Sequence, residues 1–566
     1  MATSDLSTPA PQPNIDDVTA RPPREIGRRY VAPFIAGAIA AGVSIAVSEL
    51  IAGLISGAPS LVIAMGTLAI DLQPPGAKDF VVSLFGTNDK LALNLFIVVV
   101  AIVIAGAIGI AGSRDIRRAD IGFIAFGAIA LFAAYREPLV SFPWAIVTTV
   151  AAVTAGLAAL RYLLGLIAPP KPATEAVGGT TKAARREQRR LSQLGLEPVR
   201  TAHTTAGMPD WDRRRFLIGS AGVAAGAVVA GVFGRRLTTT RATTEPSTAI
   251  TIPKPAETVP PLSADEMLNV PGITPIVIPN DDFYRIDTAL LPVRLDASTW
   301  KLTVNGMVNQ EVTLTYQQLT TMPMFEQYVT IQCVSNYVGG DLVGNAKWTG
   351  VNLRDVLAMA GVQPAATQIV GRSADGFTAG FPTEHAIDPA RNPMIAVLMN
   401  DEPLPTEHGY PARLIVPGLY GYVSATKWLT NIELTTLEAF DGYWIPLGWA
   451  KLGPILTQSR IDVPHDGQNI KAGTVTIAGV AWAPDRGVSK VEVQVDEGAW
   501  QTCVLSAPIS KATWLQWELL WNATPGIHTI AVRATDGTGA VQTADVTPPA
   551  PDGARGHHTI QVAVAG

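Results

Sequence analysis

Cys333 is the side chain of this sequence best placed to act as a metal ligand or a nucleophile. It ends the alternating run 328–333, in which Val329, Ile331 and Cys333 share one face of a predicted strand. The chain has 566 residues and one other cysteine, Cys503, so Cys333 belongs to no disulfide framework. A thiolate at the start of a loop can bind a soft metal or attack an electrophile. The alternative is a thiol without a chemical role.

The segments around and after Cys333 form an ordered set. Residues 330–333 read Thr-Ile-Gln-Cys, 408–413 read His-Gly-Tyr-Pro-Ala-Arg, 416–418 read Val-Pro-Gly and 424–428 read Ser-Ala-Thr-Lys-Trp. Each string is weak alone, but their order and spacing are specific. Together they resemble the sulfite oxidase family of molybdenum-cofactor enzymes over residues 275–560. The resemblance implies that Cys333 is the one protein ligand to molybdenum.

The resemblance also implies which residues hold the molybdopterin. It places His408 and Arg413 on the pterin and Ser424 and Lys427 on its phosphate, which needs cationic and hydroxyl donors. Residues 280–285 resemble the family's Asn-x-x-Phe-Phe segment. The candidate cofactor-binding residues are Asn280, Phe283, Tyr284, Asp375, His408, Arg413, Ser424, Thr426 and Lys427. Some of these residues could instead have purely structural roles. Phe283 and Tyr284 could be core residues, Asp375 could stabilise a turn, and His408 could serve the fold rather than the cofactor.

Three positions depart from the family pattern where sulfite would bind. An expected arginine is replaced by Ile286, a second by Val338, and an expected tyrosine by Val480. Binding of a small anion needs converging positive charge and hydrogen-bond donors. We therefore expect oxygen-atom transfer on an unknown small molecule or a sulfoxide, in either direction. No Cys-x-x-Cys-His haem motif is visible, so the electrons are expected to pass through a separate protein partner.

The amino-terminal half predicts a membrane protein. Hydrophobic residues make up 48% of the chain and the formal net charge is −5, which argues against a nucleic-acid partner. Apolar runs at 31–54, 91–112, 119–135 and 142–165 approach the length of a transmembrane helix. The apolar but interrupted segment Pro59–Phe85 is interpreted as re-entrant or surface-lying, with a further span as the alternative. None of the seven histidines lies in these runs, so no haem is expected in the lipid-embedded helices.

Arginine and lysine positions predict the orientation. Basic clusters precede the first span, separate the second from the third and follow the fourth, so a cytoplasmic amino terminus satisfies all three. Residues 212–217 read Asp-Arg-Arg-Arg-Phe-Leu before another apolar run and resemble a twin-arginine signal, with an ordinary anchor as the alternative. Either reading predicts a multi-pass plasma-membrane protein whose residues 238–566 are extracytoplasmic.

The predicted fold is an α-helical membrane bundle of about five spans, then an α+β sulfite-oxidase-like molybdopterin domain, then an immunoglobulin-like β-sandwich. The resemblance implies that the sandwich can form a homodimer. A non-enzymatic surface protein with a degenerate cofactor domain is the alternative function. The predicted segments are a disordered tail 1–27, a four-helix membrane region 28–168, a basic cytoplasmic loop 169–212, a signal anchor 213–237, a linker 238–262, a catalytic domain 263–445 and a sandwich 446–566.

Overall fold

The computed structural model describes residues 27–73, 89–167, 213–243 and 252–566. They form two compact units. The first comprises residues up to Gly66 together with Leu91–Arg136 and Val140–Arg236, and the second comprises Thr67–Lys90, Glu137–Leu139 and Leu237–Gly566. The predicted tail 1–27, except for its last residue, and the predicted loop 169–212 lie outside the described residues.

Long helices occupy the apolar runs of the amino-terminal half. In chain order they are α1 Ala32–Leu54, α2 Leu61–Asp71, α3 Asp89–Gly112, α4 Ile116–Arg136, α5 Phe142–Ile167 and α6 Arg213–Thr243. Within the described ranges, five helices are long and apolar enough to cross a membrane; only α2 among the six is too short. The length and composition of these helices therefore confirm the prediction of about five membrane-spanning segments.

Two segments differ from the simplest prediction. The interrupted stretch Pro59–Phe85 contains the short helix α2, while residues 74–88 lie outside the described part of the chain. Helix α6 does not stop at the predicted end of the anchor, residue 237, but continues to Thr243. No proline occurs between Arg213 and Pro246, so no proline forces the helix to end earlier.

Helices α1 and α6 pack against each other through glycine and a buried carboxylate. A Cβ added at Gly234 would lie 2.5 Å from the backbone of Glu49, and one added at Gly53 would lie 2.5 Å from the Gly234 carbonyl. Glu49 is 4% exposed, accepts a hydrogen bond from Ser60 and lies 3.5 Å from the Arg235 guanidinium. Small residues permit this close backbone approach, and the ion pair satisfies the carboxylate.

An α+β domain follows. Its strands are β1 Lys301–Gly306, β2 Val312–Thr315, β3 Met324–Gln332, β4 Val343–Asn352, β5 Gln368–Ser373, β6 Thr378–Pro382, β7 Met394–Met399, β8 Glu402–Pro403, β9 Arg413–Ile415 and β10 Leu429–Thr435. Its helices are α7 Tyr316–Thr320, α8 Leu353–Ala360, α9 Thr383–Ile387 and α10 Gly421–Ser424. One sheet has the order β2-β1-β10-β5-β6, and the other has β3-β4-β7-β8 with β9 beside β7.

The carboxy-terminal strands form the predicted sandwich. They are β11 Gln458–Val463, β12 Asn469–Lys471, β13 Gly473–Trp482, β14 Val488–Val495, β15 Gln501–Thr502, β16 Val504–Leu505, β17 Leu515–Ala523, β18 Gly526–Asp536 and β19 His558–Ala565. A sheet of order β11-β13-β17-β16 faces one of order β12-β19-β18-β14-β15. Alternating residues of both sheets fill one core, in which Cys503 is a small buried member.

A buried hydrogen-bond chain joins the α+β domain to the sandwich. The Trp482 indole donates to Gln332 Oε1 at 2.8 Å, and Gln332 Nε2 donates to Gln458 Oε1 at 3.1 Å. Gln458 Nε2 in turn donates to the Ala554 carbonyl at 2.9 Å. Because Gln332 immediately precedes Cys333, the sandwich braces the strand end that carries the thiol.

The α1–α6 contact predicts the effect of a larger residue at Gly234. In a background with Cys333→Ser and Cys503→Ser, an Ala46→Cys, Gly231→Cys pair should cross-link, because a Cβ built at Gly231 lies 3.6 Å from Ala46 Cβ. Adding Gly234→Val should lower the cross-linked fraction severalfold by separating the helices. Gly226→Val is the matched control, since nothing lies within 4 Å of a Cβ there. Equal cross-linking in both variants would contradict the packing.

Candidate active site

Cys333 stands in the wall of a deep cavity, directly after the last residue of β3. Its amide donates to the Leu342 carbonyl at 2.9 Å, which folds the following loop back on β4. The side chain is 9% exposed, and its Sγ lies 2.9 Å from Ser335 Oγ. Val329 and Ile331 are buried in the domain core. The strand therefore presents the thiol at its end, as its alternating pattern predicts.

Most of the predicted site residues meet at this cavity. Those that line it are Phe283, Tyr284, Cys333, Asp375, His408, Arg413 and Lys427. They come from separate places: the segment after the turn Asn280–Asp282, the end of β3, the loop after β5, the turn Thr406–His408, β9 and the segment after α10. The fold thus gathers side chains that are far apart in the sequence.

Three predicted residues are close by but do not line the cavity. The Asn280 amide donates to the Met399 carbonyl at 3.2 Å and to Glu402 at 3.1 Å. Ser424 donates to the Tyr420 carbonyl at 3.0 Å, four residues back in its own short helix. Thr426 lies 3.5 Å from the Gly371 carbonyl. Their polar groups serve the backbone around the cavity in this structure.

Arg413 is a buried cation with an unsatisfied donor. It is 3% exposed, and its guanidinium lies 5.0 Å from the centre of the Trp348 ring. Nη1 donates to the His408 carbonyl at 3.0 Å, whereas Nε is buried without a hydrogen-bond partner among the described residues. Burial lowers the pKa of Arg413 to about 10, so it is charged at neutral pH. A buried cation with a free donor is suited to an anionic or acceptor-rich ligand.

His408 and Lys427 lie beside Arg413. His408 Nε2 is 3.0 Å from the Asn280 carbonyl. Burial, together with Lys427 and Arg413, lowers the pKa of His408 to about 3, so the ring is neutral at neutral pH. Lys427 Nζ donates to the Glu407 carbonyl at 3.0 Å, and burial lowers its pKa to about 8 although Asp287 opposes the shift.

Asp287 is the charged residue of the cavity that sequence reasoning missed. Its side chain is 5% exposed and lies 3.2 Å from Lys427 Nζ and 2.9 Å from Arg285 Nε. Lys90, a member of the same compact unit, lies 2.7 Å away. Burial acts to raise the pKa of Asp287, but these cations outweigh it and hold the pKa well below its usual range. The available signal was an acidic residue two positions after the 280–285 segment.

Comparison with known proteins agrees with this geometry. Residues 289–444 match the family model of the oxidoreductase molybdopterin binding domain, and residues 458–532 match that of a bacterial Ig domain. Human mitochondrial sulfite oxidase is 30% identical over 288 residues, covering 43% of this chain and 52% of that protein. Arabidopsis thaliana sulfite oxidase is 26% identical over 299 residues, covering 45% of this chain and 74% of that protein.

The chain contains an oxidoreductase molybdopterin binding domain and is similar to sulfite oxidases over that part. It spans about half the length of the human relative, 52%. Among solved structures, the sulfane dehydrogenase SoxCD from Paracoccus pantotrophus aligns with a TM-score of 0.45 at 21% identity, covering 51% of this chain and 82% of that one. The predicted order of a molybdopterin domain followed by an immunoglobulin-like domain is confirmed.

The donors of this site fit a molybdenum–pterin group. The unsatisfied Nε of Arg413 and the largely buried ammonium of Lys427 provide positive charge for an anionic tail. Within the described ranges, no group of three or more His, Cys, Asp or Glu side chains could hold a metal ion. A single thiol beside these cations suits a metal that brings its other ligands with a cofactor.

The positions that depart from the sulfite oxidase pattern lie in different surroundings. Ile286 lines the cavity and is 40% exposed. Val480 is fully buried in the domain core, away from the cavity lining, and Val338 is half-buried in the loop after Cys333. Arg285 and Lys347 point to carboxylates: Arg285 pairs with Asp287, and Lys347 lies 2.5 Å from Asp401. Neither cation lines the cavity.

The Asp287 cluster predicts the effect of neutralising that carboxylate. Asp287→Asn should lower the free energy of unfolding at pH 7 by about 3 kcal/mol, because it leaves buried cations without their counter-charge. An aspartate with a lowered folded pKa adds stability above pH ~4 and loses it as the pH falls. The difference between variant and wild type should therefore shrink towards pH 3. Denaturant unfolding of the detergent-purified chain measures this, with exposed Asp281→Asn as the control; a pH-independent difference would contradict the assignment.

Proposed function

We propose that this protein is a membrane-anchored, extracytoplasmic oxidoreductase that transfers an oxygen atom between water and a small molecule at a molybdenum–pterin cofactor. The convergence of the Cys333 thiol with buried Arg413 and Lys427 on one cavity carries the proposal. A soft donor beside anion-binding cations is what such a cofactor needs. A surface protein without catalysis would need no such combination.

The bound cofactor would supply the two-electron redox chemistry, and the chain's own residues would position it. Cys333 would be the protein ligand to the metal. Arg413 would offer its free Nε and His408 its ring to the pterin, while Lys427 would neutralise the phosphate. Asn280, Ser424 and Thr426 would keep the surrounding backbone in place, while Phe283, Tyr284 and Asp375 would form the cavity wall. In the oxidising direction the substrate would gain the oxygen atom of a water molecule and lose two electrons, which would pass to the partner protein, while two protons are released; the reducing direction is the reverse.

The same proposal includes the arrangement of the chain. Residues 263–445 would be the catalytic domain and 446–566 the sandwich, which would support a homodimer. The apolar helices would anchor the protein in the plasma membrane, with the basic clusters on the cytoplasmic side. A separate electron-transfer protein would exchange electrons with the site, without a haem of this chain. Residues 213–217, Arg-Arg-Arg-Phe-Leu, would direct export of the loaded domain as a twin-arginine signal.

Metal analysis tests the central assignment. Protein purified from a molybdenum-replete host should contain about one molybdenum and one pterin per chain, and Cys333→Ser should lose the thiolate-to-metal absorption. Cys503→Ser is the matched control, since that thiol lies in the sandwich core. Wild-type protein free of both metal and pterin would exclude the assignment.

A charge-conserving triple substitution tests the export signal. Changing Arg213, Arg214 and Arg215 to lysine keeps the charge that governs ordinary insertion but removes the arginine pair that a twin-arginine receptor reads. We expect residues 238–566 to lose external protease accessibility in intact spheroplasts. Lysine at Arg114, Arg117 and Arg118 is the control and should change nothing. Unchanged accessibility in the first variant would favour an ordinary anchor.

Steady-state kinetics test the expectation that sulfite is not the main substrate. Each lost charge-assisted contact to a buried anion costs on the order of 1.5–3 kcal/mol. Without arginine at Ile286 and Val338, sulfite binding should be weaker by roughly a hundredfold or more. Sulfite turnover by molybdenum-loaded protein with kcat/KM above about 10⁴ M⁻¹s⁻¹ would contradict this expectation and would mean that other cations reach the anion.

A further inference from the structure

Part of the wall of the Cys333 cavity is aromatic and aliphatic. Beyond the residues assigned to the cofactor, the lining includes six large apolar residues, beside a few polar ones such as Ser335 and Ser373: Ile286, Val334, Phe377, Tyr422, Trp444 and Trp449. Tyr422 is 9% exposed, and the two tryptophans are half-buried. Partly exposed apolar groups in a cavity wall stay in contact with water until a ligand covers them, so a ligand with apolar surface gains from displacing that water.

The aromatic wall is held in place by local contacts. The Tyr422 hydroxyl donates to the Ala450 carbonyl at 2.6 Å, and its ring lies 6.0 Å from that of Trp449. The Trp449 amide lies 3.3 Å from the Trp444 carbonyl across a turn in which Gly448 has a φ of 100°. These contacts fix the ring positions before a ligand arrives, which lowers the ordering cost of binding.

The cations that line the cavity already have other partners. Lys427 pairs with Asp287 and lies 5.4 Å from the Trp428 ring centre. Arg413 stacks on Trp348 and donates to His408. The second carboxyl group of the cavity, Asp375, accepts a hydrogen bond from the Phe377 amide at 3.1 Å. Arg413 and Lys427 are assigned to the cofactor in the proposed function, and the other two charged side chains of the described lining, Asp287 and Asp375, are acidic. The described lining therefore offers no further cation to an anionic substrate.

We infer that the substrate is an uncharged molecule that carries a planar apolar group beside its reacting atom. This group would lie against Tyr422 and Trp449, and the polar oxygen would face the cofactor side of the cavity near Cys333. The inference rests on the proposed oxygen-transfer function and names the substrate class of that site. Aryl sulfoxides are the simplest probes, because a phenyl group adds apolar area without adding charge.

The probe reaction balances. In the reducing direction the sulfur–oxygen bond of methyl phenyl sulfoxide breaks, two electrons and two protons enter, and methyl phenyl sulfide and water leave. A reduced viologen dye supplies the electrons, one per dye molecule. Dimethyl sulfoxide undergoes the same bond change and lacks the ring, so the pair isolates the contribution of the planar group.

Kinetics of the molybdenum-loaded full chain with these two sulfoxides give the first test. We expect KM for methyl phenyl sulfoxide to be at least about tenfold lower than for dimethyl sulfoxide, equivalent to about 1.4 kcal/mol. Trp449→Ala should remove most of this preference by raising KM for the aryl compound, and Trp449→Phe should restore part of it. Trp500→Ala in the sandwich is the control and should leave the preference unchanged.

Binding of unreactive sulfones separates the inference from catalysis. Isothermal titration should show methyl phenyl sulfone binding at least about tenfold more tightly than dimethyl sulfone, with or without turnover. Ile286→Asn, at a more exposed wall position, should weaken aryl sulfone binding even if Trp449→Ala fails to fold. Equal affinity for the two sulfones would overturn the substrate class. Tight aryl sulfone binding without turnover of any sulfoxide would support it while counting against oxygen transfer in the reducing direction.

Discussion

Two buried cations beside a buried thiol are the constraint on which this domain depends. Arg413 and Lys427 have lost most of their hydration, and Asp287 is the carboxylate that compensates Lys427 inside the fold. Arg413 has an aromatic face and a carbonyl instead of a carboxylate partner, and one of its donors is unsatisfied. An anionic cofactor would complete this electrostatic arrangement, so cofactor loading and stability of the domain are thermodynamically linked.

The surrounding fold keeps these groups together although none is adjacent to another in sequence. β3 delivers Cys333 at its end, β9 begins with Arg413, and a tight turn carries His408. Trp348 on β4 supports the guanidinium, and the Trp428 indole donates to the Thr406 carbonyl at 2.8 Å. Strands and their neighbouring turns hold side chains more rigidly than long loops do, so the cavity keeps its shape.

The sequence predicted elements with strong local signals well. The alternating run ending at Cys333 lies at the end of β3. Helix α8 shows similarly strong local signals at both ends: the Asn352 side chain accepts a hydrogen bond from the Arg354 amide, and Gly361 after the last turn has a φ of 69°. The direction of a side chain was harder to predict from the sequence. Ser424 and Thr426 carry hydroxyl groups that suit a phosphate, yet these hydroxyls lie against backbone carbonyls. Asp287 was missed because its importance comes from cations brought together only by the tertiary fold.

The buried chain from Trp482 through Gln332 to Gln458 has an evolutionary consequence. Immunoglobulin-like domains are often exchanged between proteins as independent modules, which requires interfaces that tolerate new neighbours. Here a foreign sandwich would leave both polar groups of the Gln332 amide buried without partners, one residue from the thiol. The two domains are therefore expected to diverge as one inherited unit, and recombination is expected to insert new modules outside this pair rather than between its members.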